Sequence, residues 1–467
     1  MAPTRASGRR LSYLALISLA FLAAPGVASA TTFTVARTDD PTPAPCSSDC
    51  SLREAVIAAN AGSGGDTIVL RAGVYRLMIP GTGEDAAATG DLDLLKNVTI
   101  KGAGARATAI DAQGTDRIFD IQAGVTAHIS DLTLTGGQTI SDDGGAIKNA
   151  GTLGLTRVAI RGNHADLVDI NGGGGIESTG SLTVDHSLIA NNSAYNGGGI
   201  EARGTFSLTD STVSGNTAGG ANKNGDGGGI ERSGAATITL LNDTVAYNQA
   251  FNDVSAGAGI DGAAMLKNTI VADNVSRDPT LTTGGVDNCS VPTVSQGHNL
   301  SDSAQCALTA TGDRQGVDPK LGPLDDYGGS TDTHPLLAGS PAINHGDNSG
   351  CPSTDQRGIA RPQGPACDIG AFEFARPTVT ITTPAAGAHY TQGARVPALF
   401  TCAEAGSSSL IVTCKGRVSS GQPINTAKPG TKSFTVTATD RAGNRVSKSV
   451  HYTVKKRKKK HHKKKHH

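Results

Sequence analysis

The chain has 467 residues, of which 61 are glycine, none is Trp and 3% are aromatic. About twice the ordinary glycine usage with so few aromatics disfavours helical bundles and favours short strands joined by tight turns around a thin aliphatic core. A formal charge of zero hides three unlike parts: residues 31–375 hold 20 basic and 39 acidic side chains, 376–454 hold 9 and 2, and the last 13 residues hold nine Lys and Arg with no acid. No internal run reaches the roughly 18 apolar residues of a membrane span, so no transmembrane span is expected.

Arg5, Arg9 and Arg10 precede an apolar run from Leu11 to Ala24, and Ala28-Ser29-Ala30 closes it with the small residues of a signal-peptidase site. Residues 1–30 therefore read as a signal peptide, and the mature protein is expected outside the cell or on its surface. Eight cysteines fall in four close pairs, Cys46/Cys50, Cys289/Cys306, Cys351/Cys367 and Cys402/Cys414. In an exported chain these persist as disulfides; neighbour pairing is the expectation from spacing, and other connectivities stay open.

Residues 31–90 contain Cys50-Ser51-Leu52-Arg53-Glu54-Ala55 running into Val56-Ile57-Ala58-Ala59-Asn60. Leu52, Ala55, Val56 and Ala59 share one helical face, so a short amphipathic helix can cover the open end of a sheet. The hexapeptide and its cysteine pair closely resemble the CSLREA domain, a module at the start of exported bacterial β-helix proteins. The resemblance implies a cap and carries no established chemistry.

Residues 91–310 repeat. GGAI (144–147), GGGIE (173–177, 197–201 and 227–231) and GAGID (257–261) are each followed by an alternating strand and then Asn163, Asn192, Asn216, Asn248 and Asn274. Three apolar columns keep register with those Asn, for example Leu155, Val184, Leu208, Leu240 and Leu266 eight positions earlier. Each repeat has 24 to 32 residues and reads as two or three short strands. A strand unit that cannot bury its apolar face alone does so by stacking on its copies. The expected architecture is an all-β, right-handed parallel β-helix rising about 4.8 Å per coil, with the Asn column stacked at a turn as a structural ladder. Length variation sits between each Asn and the next glycine motif, where a ligand groove is expected.

Residues 311–375, with DPKLGPLDDYGGSTDTHPLLAGSPAI at 318–343 and CDIGAFE at 367–373, resemble the choice-of-anchor Q region, which implies a closing cap. Asp355, Arg357, Asp368 and Glu373 then read as an ion network within that cap. Residues 376–454 alternate apolar positions such as Val379, Phe400, Phe434 and Val450 with turns every eight to twelve residues, the pattern of a small β-sandwich. TKSFTVTATDRAGN (431–444) resembles the last hairpin of bacterial immunoglobulin-like repeats. The tail, 455–467, has nothing to bury and suits an electrostatic hold on an anionic wall polymer.

One constellation carries chemistry. Glu177, Glu201, Glu231 and Asp261 each follow the inward-pointing Ile of a glycine motif, so they are expected to point outward as a carboxylate ladder about 5 Å apart. Neighbours repel by about 3 kcal/mol at an effective dielectric near 20 and about 1 in water. Arg203 and Arg232, raised pKa values, or calcium at Glu201 and Glu231 are the candidate reliefs. His164, Asp166, Asp169, Tyr195, Asp226, Tyr247, Phe251 and Asp253 are the candidate lining of a sugar groove. The repeats resemble the pectin lyase-like superfamily in architecture, yet the Asn-Thr-Asp and Gly-His-Gly motifs of polygalacturonases and the arginine signature of pectate lyases are missing. The expected protein is a monomeric, non-enzymatic surface scaffold for adhesion or glycan binding, with an extracellular polysaccharide or anionic wall polymer as partner and no specific nucleic acid. The alternative is a polysaccharide lyase or glycoside hydrolase.

Overall fold

A computed structural model of the chain describes residues 30–166, 172–220, 224–251, 256–277, 284–404 and 411–458, besides Met1. The apolar run Leu11 to Ala24 expected in a signal peptide, and Asp169 and Asp253, lie outside these residues.

One repeat makes one coil of four strands: Ile176–Ser178, Ser181–Asp185, Leu188–Ala190 and Ser193–Ala194. The fourth strand has two residues, too short to leave a period of its own. Each strand pairs in parallel with its counterpart one coil on, Ile176 opposite Ile200, Leu182 opposite Phe206, Ile189 opposite Val213 and Ala194 opposite Ala218. Stacked, the four positions build sheets I to IV with 7, 10, 10 and 7 strands, a parallel β-helix. Inward side chains such as Ile176, Leu182, Val184 and Ile189 are buried and stack on like residues into one continuous core. Each contributes about 1.5–3 kcal/mol by burial.

The corners explain much of the composition. Between sheets III and IV the chain takes a left-handed residue at Asn191 (φ 55°), Gly215 (67°), Tyr247 (58°) and Asp273 (57°), a conformation favoured by Gly, Asn and Asp. The next residue is the ladder asparagine. Asn163 donates from its side-chain amide to Asn192 Oδ1 at 3.0 Å, Asn192 to Asn216 at 3.0 Å, Asn216 to Asn248 at 2.9 Å and Asn248 to Asn274 at 2.9 Å. The Asn column is thus the structural ladder expected, and it continues to Asn288.

The N-terminal end is covered by the helix Leu52–Ala61, opened by a capping box between Ser51 and Glu54. Its buried face is Leu52, Ala55, Val56 and Ala59. Arg53 is fully buried and pairs with Asp40 at 2.8 Å while donating to the carbonyls of Ala87 and Gly90, so the hexapeptide's charged pair is structural.

Residues 318–375 do not close the far end. They run as a strap along the outer face of sheet III, from Asp332, paired with Arg106 at 2.6 Å, to His345, whose carbonyl accepts from His298 at 2.7 Å. Between these, Gln356 meets Thr212 at 2.6 Å, His334 meets Ser214 at 2.8 Å and Arg361 pairs with Asp210 at 3.2 Å. The reason is apolar: the outward column of sheet III includes Ala159, Leu188, Ile270 and Leu300, and Leu324, Leu336, Ile369 and Phe372 cover it. The expected network is present, with Arg357 on Asp355 at 2.7 Å and Arg361 joining it through Glu373 at 3.1 Å.

The four cysteine pairs are bonded as neighbours, Cys46–Cys50, Cys289–Cys306, Cys351–Cys367 and Cys402–Cys414. After the strap, a two-stranded and a four-stranded sheet face each other across Val379, Phe400, Phe434, Val436 and Tyr452, a small sandwich. Leu399 and Val412, on the other face of their strands, are 45% and 65% exposed.

Candidate functional site

The carboxylates stand in register on sheet I. Glu177 pairs with Glu201, Glu201 with Glu231 and Glu231 with Asp261. Toward the N-terminus the same column continues through Lys148, Asp120 and Asp93, which sequence reasoning missed. The signal was there in Leu92-Asp93, Phe119-Asp120 and Ile147-Lys148, an apolar residue followed by a charge, but the first two lack the glycine motif.

The ladder is not an open groove. Glu177, Glu201 and Glu231 point away from the helix core, as expected, yet they are only 1%, 3% and 9% exposed. The glycine motifs cover them. A Cβ on Gly197 would lie 2.9 Å from Glu201 Cβ, one on Gly227 2.6 Å from Glu231 Cβ, and one on Gly172 would collide with the Glu201 carboxylate. Glycine is needed there because the chain crosses directly over the acids. One oxygen of each of these three carboxylates is buried with no hydrogen-bond partner.

Relief comes from Arg203, from Lys148 beside Glu177, and from protons. Arg203 donates to Glu201 at 2.6 Å and lies 3.9 Å from Glu177 and 3.7 Å from Asp143. Arg232 instead donates to the Ala236 carbonyl at 2.6 Å. Burial, reinforced by the charge of Asp143, pushes Glu177 up to about 7. Burial together with Glu201 and Asp261 pushes Glu231 up to about 9, and burial raises Glu201 and Asp261 as well. Near neutral pH Glu231 therefore keeps its proton, while Glu177 titrates there.

The groove residues divide. His164 sits on sheet IV with Nδ1 2.8 Å from Ser193 Oγ, and Phe251 ends a strand of the same sheet. Tyr195 and Asp226 belong to the chain crossing beside the ladder, where the Asp226 carbonyl accepts from Gly197 at 2.9 Å and the Tyr195 carbonyl accepts from Gly219 at 2.9 Å. Asp226 lies close enough to raise Glu231 and Asp261. Asp166 follows the His164–Ala165 strand and is already engaged in an interaction. Tyr247 is not with them: it lies at the opposite corner of sheet IV, its ring 4.9 Å from that of strap residue His334.

Among the described residues, the acidic, His and Cys ligand atoms that converge in threes within 4.8 Å are those of Asp91, Asp93 and Asp120; Glu201 and Glu231 belong to no such group. A cation already serves that cluster, since Arg117 Nε donates to Asp91 at 2.7 Å. Family models and curated proteins were both compared with the chain, and none matches.

Sheet II is the contrasting surface. Its outer ranks run Thr126, Thr152, Ser181, Thr205, Thr237 and, two positions further along the strands, Thr183, Ser207, Thr239, all exposed or half-buried. Hydroxyls recur about 4.8 Å apart between coils and about 6.7 Å apart along a strand. Among the described residues no helix is long and apolar enough to cross a membrane.

Proposed function

We propose that the protein is an exported, non-enzymatic β-helix scaffold that binds an extracellular polysaccharide through the outer face of sheet II, while the basic tail holds an anionic polymer of the envelope. The observation that carries this reading is the regular array of exposed and half-buried Thr and Ser hydroxyls on sheet II, with Lys101, Asp185 and Lys267 confined to its rank nearest sheet III. Such hydroxyls both donate and accept, and a regular array matches a regular sugar chain without an ion pair. The four cysteine pairs and the signal-peptide pattern support export.

The burial of Glu177, Glu201 and Glu231 beneath the glycine crossings weighs against the lyase and hydrolase alternatives, because both need carboxylates within reach of the glycosidic bond. Retention of the mature protein on immobilised polysaccharides tests the reading. Thr205→Lys with Thr237→Lys should abolish retention while leaving thermal stability unchanged, since both side chains face solvent. Retention that survives these changes overturns the assignment to sheet II.

A further inference from the structure

The sandwich carries a charge that nothing above uses. Residues 376–454 hold nine basic and two acidic side chains, and four of the cations, Lys415, Arg417, Lys432 and Arg445, gather around strand Ile411–Gly416, which stands at the edge of the four-stranded sheet. Lys415, Arg417 and Arg445 are exposed and Lys432 is half-buried. Among the described residues the sandwich forms its ion pair through Arg441, with Asp325 at 2.8 Å, which leaves these four cations without a carboxylate partner there.

Three clefts follow the cations round that edge. The first, about 320 Å³, has Arg417 and Lys432 in its wall with Phe434 and Tyr452. The second, about 470 Å³, has Arg417 and Lys415 with Ser419 and Ser420. The third, about 460 Å³, has Lys415 and Arg445 with Thr413, Thr437 and Thr439. Each falls within the size of small-ligand sites, about 300–1,000 Å³. Arg417 lines the first and second and Lys415 the second and third, so the three form one track, and among the described residues no acid lines it. In the third cleft Thr439 stands between Thr413 and Arg445, and Thr437 between Lys415 and Ser447. These two threonines alternate with buried Val436, Ala438 and Asp440 and so face outward. Lys415 and Arg445 lie two strand spacings and one two-residue step apart, about 12 Å, with the hydroxyls between them.

We propose that this track binds an acidic polysaccharide, which runs from Lys432 round the edge strand to Arg445. The inference rests on the reading that the basic end of the chain holds an anionic polymer, and it names both the polymer and its seat. Arg417 and Arg445 present the fork that meets a carboxylate, and the hydroxyls between cations suit the neutral sugar positions between charges. Duplex DNA carries one charge per about 1.7 Å, far denser than cations about 12 Å apart can match. The rings of Tyr452 and Phe434 are only 3% and 2% exposed, closed to the base stacking that single strands use. The tail departs beside the first cleft: Tyr452 lies opposite Lys432, and its strand ends at Lys455, about 10 Å further on.

The test measures binding of the full mature chain, at low and high salt, to polygalacturonate, to the same polymer with its carboxyls reduced to alcohols, to polyglycerol phosphate and to duplex DNA. Lys415→Gln with Arg445→Gln, and Arg417→Gln with Lys432→Gln, should each weaken the salt-sensitive binding of polygalacturonate by about tenfold or more, with thermal unfolding unchanged. Removal of residues 459–467 should weaken it less. The reduced polymer reports on sheet II, where salt screens nothing, and both double variants should hold it as wild type does. Polygalacturonate binding that survives both double changes and vanishes with the tail overturns the track and leaves the tail reading standing. A wild-type chain with no salt-sensitive binding of any polyanion overturns both. Tighter binding of DNA or polyglycerol phosphate, lost in the same variants, overturns the choice of polymer. Variants that aggregate at unchanged affinity make the cations guards of an open sheet edge, which also overturns the proposal.

Discussion

Glu231 shows at the scale of one residue how burial changes what a carboxylate can do. Its outward direction follows from strand alternation, but the neighbouring glycine crossing removes it from water and its pKa rises to about 9. In the unfolded chain the same group ionises near 4.5, so between those values the folded state binds the extra proton and loses stability as pH rises. Glu231→Gln should therefore raise the unfolding temperature at pH 8 and have little effect near pH 5; an equal effect at both values contradicts a buried acid. Gly227 makes the complementary case. At φ 66° with no room for a Cβ, Gly227→Ala should cost about 1–3 kcal/mol, measured by chemical denaturation.

At the scale of elements, ladder and strap play different parts. Asn216 accepts from the backbone and side chain of Asn192 at 3.0 Å each and donates to the Ile189 carbonyl and Asn248 at 2.9 Å. Asn216→Ala strands two buried Asn192 donors and the Ile189 carbonyl of the preceding coil, and should cost about 2 kcal/mol or more in denaturant unfolding. The strap is held by Arg361, buried between Asp210 and Glu373. Arg361→Ala leaves both acids unpaired and should cost about 3–5 kcal/mol, with faster proteolysis of residues 318–375; protease resistance equal to wild type contradicts a strap held in this way.

The same contrast explains what could be read from the sequence. The coils were legible because Leu155, Val184 and Leu208 recur in register, and the capping helix because Leu52, Ala55, Val56 and Ala59 share one face. The ladder's register was legible too, since Glu177, Glu201 and Glu231 occupy one position of the repeat. Its burial was not, because the residue covering Glu201 includes Gly172 from another coil. The strap was also hidden: Thr212 meets Gln356 and Asp210 meets Arg361 across more than a hundred residues, and such contacts leave no local period. A closing cap was inferred where the chain instead covers the apolar outer column of sheet III.

On the scale of the whole molecule, burial raises many acids together. Asp91, Glu177 and Asp210 are pushed up to about 7 and Asp93 to about 6, so stability should fall as pH climbs from about 5 toward 9. Buried His334 is pushed down to about 4; the folded state resists protonating it, and stability should also fall as pH drops below about 6.5 toward 4. The raised acids outnumber the single histidine, so the unfolding temperature should be higher at pH 5 than at pH 8, and the reverse order contradicts this balance.

The central claim is that the acids serve the fold while the hydroxyl face meets the partner. Its most direct test is to incubate the mature protein, beside Glu201→Gln and Glu231→Gln, with each polysaccharide it retains and to weigh the products by mass spectrometry. Intact glycans, retained equally by all three proteins, are the predicted result. Shortened or unsaturated products made by wild type and lost in the variants would contradict the account and make the carboxylate ladder an active site.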